Sequence, residues 1–132
     1  MRDVKMEKTN IFEEYKANGL GIKKVEIDNE KLTIFWPDNR EEIFYMKDLR
    51  KVAIITTDEG PFQPDLFWLM MFEFPIMVPS DETIPGSLAI ADIMFELPNF
   101  HYEKFIEVIF STSNNAFELW DRDFKITNIN KN

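Results

Sequence analysis

Val52-Ala53-Ile54-Ile55-Thr56-Thr57, Asp58-Glu59-Gly60-Pro61-Phe62-Gln63-Pro64-Asp65 and Leu66-Phe67-Trp68-Leu69-Met70-Met71-Phe72 follow one another without a break. The β-branched density of the first run marks a buried strand. The middle run holds two prolines and a glycine and can continue neither helix nor strand, so it is a loop. The last run is apolar on both faces and reads as a central strand. A bend near Pro75 leads to Ile76-Met77-Val78, which Pro79 ends.

Toward the N-terminus the period stays at two. Ile22, Val25 and Ile27, a turn at Asp28-Asn29-Glu30, and then Leu32, Ile34 and Trp36 on one face predict a β-hairpin. Pro37-Asp38-Asn39-Arg40 is a second turn, and Glu42-Ile43-Phe44-Tyr45 resumes as a strand. Met46 to Arg50 predicts a single turn. Residues 3–17 read as a short helix stopped by Asn18-Gly19.

Toward the C-terminus the period becomes helical. Pro85 suits a first helical position, Leu88, Ala91 and Phe95 form an apolar side, and Pro98 stops that helix. Asn99 is the expected cap of a second helix, in which Tyr102, Phe105, Ile106, Ile109 and Phe110 recur at i, i+3, i+4, i+7 and i+8. Ala116 to Trp120 alternates as a last strand. The order predicts an α+β fold, a mainly antiparallel curved sheet of six to seven strands with two C-terminal helices on one face. A pleckstrin-homology-like layout and an open α+β sandwich both satisfy it.

The 132 residues suit a single domain, with 1–20 as an N-terminal helical or extended segment and 121–132 as a polar, frayed tail. Hydrophobic residues make up 45% and aromatics 14%, enough to offset chain entropy without disulfides or a structural metal. With no cysteine, a thiolate nucleophile and a Cys-based zinc site are excluded. The N-terminal residues Arg2, Asp3, Lys5, Glu7 and Lys8 stand where a secretion signal needs apolar ones, and the longest apolar run is too short to cross a bilayer. A cytoplasmic address is the expectation.

Charge is distributed unevenly. Residues 1–51 hold eleven basic and eleven acidic side chains, so the formal net charge of -9 belongs to the rest of the chain. Between Lys51 and Lys104 there is no lysine or arginine. Such a field repels nucleic-acid phosphates and anionic lipid and attracts a basic protein.

The candidate binding residues are Asp58, Glu59 and Asp65 around the Gly60-Pro61 loop, with Glu103 and Glu107 on the last helix. The loop carboxylates could converge on a hard cation, but solvation or capping of loop amides suits Asx residues in a turn better, and their spacing fits no EF-hand. His101 is the only histidine, so neither a two-histidine metal site nor a His-dependent triad assembles within one chain. A capping or surface role suits it better than a base beside Glu103 or Asp65. No catalytic residue, metal site or cofactor is assigned. Trp36, Trp68 and Trp120 read as core, as do Met70, Met71 and Met77.

Thr56-Thr57-Asp58-Glu59-Gly60-Pro61-Phe62, Asp65-Leu66-Phe67-Trp68, Val78-Pro79, Leu97-Pro98-Asn99-Phe100 and Phe117-Glu118-Leu119-Trp120 together resemble a family of small uncharacterised bacterial proteins. In that family a Thr-Thr-Asp-x-Gly-Pro-Phe turn leads into an Asp-x-Phe-Trp strand. The resemblance spans roughly residues 22–120 and carries no activity with it. It implies only that the Asp58 to Trp68 turn matters structurally. Three functions follow as expectations: a non-enzymatic module binding a basic protein, of the immunity or inhibitor type; an enzyme or ligand domain built on the acidic loop; and a lipid-binding domain using Lys23, Lys24, Arg40, Lys47, Arg50 and Lys51.

Overall fold

The computed structural model describes residues 17–58, 66–110 and 114–123. Its strands are β1 (Lys24–Ile27), β2 (Lys31–Phe35), β3 (Glu41–Tyr45), β4 (Lys51–Thr56), β5 (Leu66–Met71), β6 (Pro75–Pro79) and β7 (Asn115–Asp121). A 3-10 turn, Met46–Asp48, follows β3, and two helices, α1 (Ala89–Phe95) and α2 (Tyr102–Val108), precede β7. The fold is α+β and every pairing is antiparallel.

The turns form for local reasons. The Asp28 carboxylate accepts the N–H groups of Glu30 and Lys31 at 2.8 and 2.9 Å, closing the β1–β2 hairpin. Those amide bonds hold the Asp28 carboxyl below its ordinary pKa. In the next turn Asn39 takes a left-handed φ of 69°, which its short polar side chain tolerates. Asp38 there accepts the Arg40 N–H at 3.1 Å, which lowers its pKa in the same way.

One curved sheet is the expectation; two sheets are found. β1-β2-β3 form one and β6-β5-β4-β7 the other. The break falls at the 3-10 turn, which redirects the chain so that Arg50 N–H donates to Met71 O at 2.7 Å rather than returning to β3. Arg122 fixes this corner, donating to Leu49 O at 2.6 Å and Met46 O at 3.1 Å. The two sheets share one core. Val25, Leu32 and Ile34 of the first and Ile54, Trp68, Met70 and Leu119 of the second belong to a single buried cluster.

The helices also differ from expectation. Their main contacts fall on different sheets, α1 on β1 and α2 on β7. Aromatic rings join them, with Phe95 edge-on to Tyr102 and Phe105 at 4.9 and 5.0 Å and Phe105 stacked on Trp68 at 5.6 Å. Pro85 does not begin α1, which starts four residues later at Ala89. Gly86, at φ 86°, intervenes in the left-handed region and stops a helix from forming there. Asn99 does not cap α2; it adopts φ 65° in the preceding turn, and His101 stands at the cap with no side-chain bond. Asn18-Gly19 lies within a helical turn over residues 17–20 rather than after it. The rest of the expected N-terminal helix, and most of the polar tail, fall outside the described residues.

β7 breaks strict alternation. Val52 pairs with Trp120 and Ala53 with Glu118, so Leu119 is the extra residue of a β-bulge. As a result Leu119 and Trp120 are both buried in succession. Trp120 places its indole N–H 2.8 Å from Pro98 O, tying the strand to the turn between the helices.

The sheet edges are finished differently. Val25 N–H, on the outer side of β1, donates to Pro85 O at 2.9 Å. β6 begins and ends with proline, which blunts an edge. β7 receives the His101 N–H on Leu119 O at 2.9 Å. The outer edge of β3 has no strand partner among the described residues.

Candidate functional site

Of the predicted binding residues, Asp58, Glu103 and Glu107 are described and exposed; Glu59 and Asp65 lie outside the described residues. Asp58 follows β4, and its N–H donates to Asn114 Oδ1 at 3.2 Å, anchoring the loop's start to β7. Glu103 occupies the first turn of α2, where a carboxylate suits the positive end of the helix. Glu103 and Glu107, four residues apart on one helix, repel mildly. Lys104, between them in sequence, pairs with Glu107 at 3.6 Å and relieves that repulsion.

More broadly, Asp58, Glu73, Glu82, Asp92, Glu96 and Glu103 are all exposed. None has an ion-pair partner among the described residues. They do not all share one place. Lys51 pairs with Met71 at one end of the β4–β5 ladder and Thr56 with Leu66 at the other. Glu73 therefore lies past one end and Asp58 past the other, roughly 20 Å apart at ~3.3 Å per strand residue. On β7, Lys51 sits 3.5 Å from Glu118 and 3.8 Å from Asp121, so a cation from the N-terminal half neutralises that stretch.

The catalytic reading fares poorly on geometry. His101 is held at Leu119 and Asp58 at Asn114, just before β7, about 17 Å apart at ~3.4 Å per residue. His101 instead lines a 190 Å³ depression with Asn99, Glu118, Trp120 and Asp121. Among the described residues no group of three or more His, Cys, Asp or Glu side chains is placed to hold a metal ion. Trp68 and Trp120 are core, as expected, whereas Trp36 is half-buried and donates to Glu42 Oε1 at 2.7 Å.

One concavity has no counterpart among the expected sites. A groove of about 750 Å³ runs between β3 with its 3-10 turn and the β5–β6 turn. Ile43, Tyr45 and Phe74 are exposed along it, Phe74 by 70%. Its charges balance: Lys47, Arg50 and Arg122 face Asp48, Glu73 and Asp123. The sequence signal was the pattern Glu41-Glu42-Ile43-Phe44-Tyr45, which is apolar on both faces although only one face can reach the core.

No family model, no curated protein and no solved structure matches this chain. Among the described residues, no helix is long and apolar enough to cross a membrane.

Proposed function

We propose that this chain is a non-enzymatic module that binds a basic protein, in the manner of an immunity or inhibitor protein of a bacterial cytoplasm. The observation that carries the reading is the set of exposed, unpaired carboxylates drawn from the stretch between Lys51 and Lys104, on a chain of net charge -9. Asp58, Asp92 of α1 and Glu103 of α2 constitute the recognition surface, with Glu107, paired to Lys104, at its margin; Glu73, at the far end of the sheet, does not belong to it. Complementary charge speeds encounter and selects positive partners.

The pleckstrin-homology-like layout has support only in the enclosure of one core by a three- and a four-stranded sheet. A lipid role for such a layout needs a basic patch. Three of its six candidates are already neutralised, Lys24 by Glu26, Arg40 by Asp38 and Lys51 by Glu118.

The test is a pull-down from the source organism's lysate at low and high salt, with Asp58→Asn/Glu103→Gln/Glu107→Gln as control. The proposal expects a basic protein retained by the wild type at low salt, released at high salt and not retained by the triple variant. Absence of any basic protein at low salt overturns it.

A further inference from the structure

The geometry points to a second docking site, the outer edge of β3, which takes up an extended segment of a partner protein as an added strand. The segment is β-branched where it faces Ile43 and Tyr45 and basic where it faces Glu41.

Trp36 N–H donates to Arg40 O at 2.9 Å and Met46 N–H to Glu30 O at 2.8 Å. In the β2–β3 register, Ile34 opposite Glu42 and Leu32 opposite Phe44 share the parity of those two pairs, so Glu42 and Phe44 turn their N–H and C=O groups toward β2. Those of Glu41, Ile43 and Tyr45 point away from it and meet no partner among the described residues. The other three sheet edges are capped or carry proline; this one is not.

Size and charge choose the occupant. A strand fills about 4.8 Å by 10 Å by 3.4 Å per residue, roughly 160 Å³. The 750 Å³ groove thus holds four to five residues of one extended chain. Exposed Phe74 lines the groove together with Ile43 and Tyr45, an apolar lining that suits β-branched side chains. Glu41 is exposed and pairs with no cation among the described residues, so the segment that lies antiparallel on β3 ends in a lysine or arginine opposite it. Backbone bonds would supply affinity and the alternate side chains selection. The site is separate from the carboxylate surface: the groove adjoins the Lys51 end of β4, and Asp58 follows the other end.

The probe is the peptide acetyl-Val-Thr-Val-Thr-Lys-amide, titrated into the ¹⁵N-labelled full chain, with two control peptides N-methylated at its second valine or at its first threonine. Saturating shifts centred on Glu41, Ile43 and Tyr45 are expected. Methylation at the second valine, whose N–H faces β3, should weaken binding about tenfold, the upper range for loss of one hydrogen bond, while methylation at the first threonine leaves it unchanged. Ile43→Pro should weaken it similarly with the β2 amide spectrum intact, because proline is tolerated on an edge whose N–H faces outward. Equal behaviour of the two methylated peptides, or no saturation by about 10 mM, overturns the inference. Slow exchange of the Ile43 amide in the free protein overturns it too. Concentration-dependent protection would assign the edge to a second copy, and concentration-independent protection to another segment of this chain. Shifts confined to Asp58, Glu103 and Glu107 would support the carboxylate surface and reject this site.

Discussion

Gly86→Ala would probe the contact that closes the molecule between its first sheet and the segment leading to α1. Gly86 sits at φ 86°, and a Cβ built there falls far inside van der Waals contact with Val25 O and 2.8 Å from Val25 C. A left-handed φ alone costs an L-residue about 1–2 kcal/mol. The obstructing atoms are backbone, so relief requires the segment to move off β1. That stretches the 2.9 Å bond from Val25 N–H to Pro85 O, and Val25 is 2% exposed. A buried amide left unsatisfied costs a further ~1–3 kcal/mol. The expected loss is therefore about 2–5 kcal/mol, a large share of the ~5–15 kcal/mol typical of a domain. Urea unfolding followed by tryptophan fluorescence reads it as a lowered midpoint at unchanged slope. Gly21→Ala is the internal control, because a Cβ there meets only Asn18 O at 3.4 Å. A Gly86→Ala midpoint matching that of Gly21→Ala would refute the claim that this close approach constrains the fold.

Three further substitutions probe neighbouring links. Ser87, fully buried, accepts the Asp81 N–H at 3.1 Å and donates to Pro79 O, so Ser87→Ala should lose about 1–3 kcal/mol in the same unfolding assay. Trp120→Phe removes the indole bond to Pro98 O at the bulge and should cost about 1–3 kcal/mol; Trp36→Phe, whose bond to Glu42 lies nearer solvent, should cost less. Asp28→Ala should destabilise the protein at neutral pH. Because folding depresses the Asp28 pKa, its contribution is present above the unfolded value and is lost as pH falls through the folded one. The gap between variant and wild type should thus narrow below pH 3.8, as acid unfolding monitored by circular dichroism would report.

Period and turn chemistry made most of the fold legible. Alternation located the strands, Pro37-Asp38-Asn39-Arg40 and Asp28-Asn29-Glu30 act as turns, and the Met46–Asp48 turn falls where one was expected. What stayed hidden depended on contacts distant in sequence. The split into two sheets turns on Arg122 reaching Met46 and Leu49. The late start of α1 turns on Gly86 meeting Val25, which Pro85 alone does not reveal. The bulge in β7 adds one residue against β4 and leaves no mark in the alternation of Phe117, Glu118 and Leu119. At the candidate site, the exposure of the carboxylates followed from composition, while the separation of Asp58 from Glu73 and the pairing of Lys51 with Glu118 required the strand register. The β3 groove was legible only in part: the apolar residues on both faces of Glu41–Tyr45 mark an exposed apolar side, but nothing local says whether another strand covers that edge.

The most direct measurement of recognition by charge is the association rate of the captured basic partner with this chain as ionic strength rises from about 50 to 500 mM. Steering by exposed carboxylates predicts a fall of about tenfold or more, and a low-salt rate for Asp58→Asn/Glu103→Gln/Glu107→Gln that approaches the high-salt value of the wild type. A rate indifferent to both salt and substitution would contradict the account.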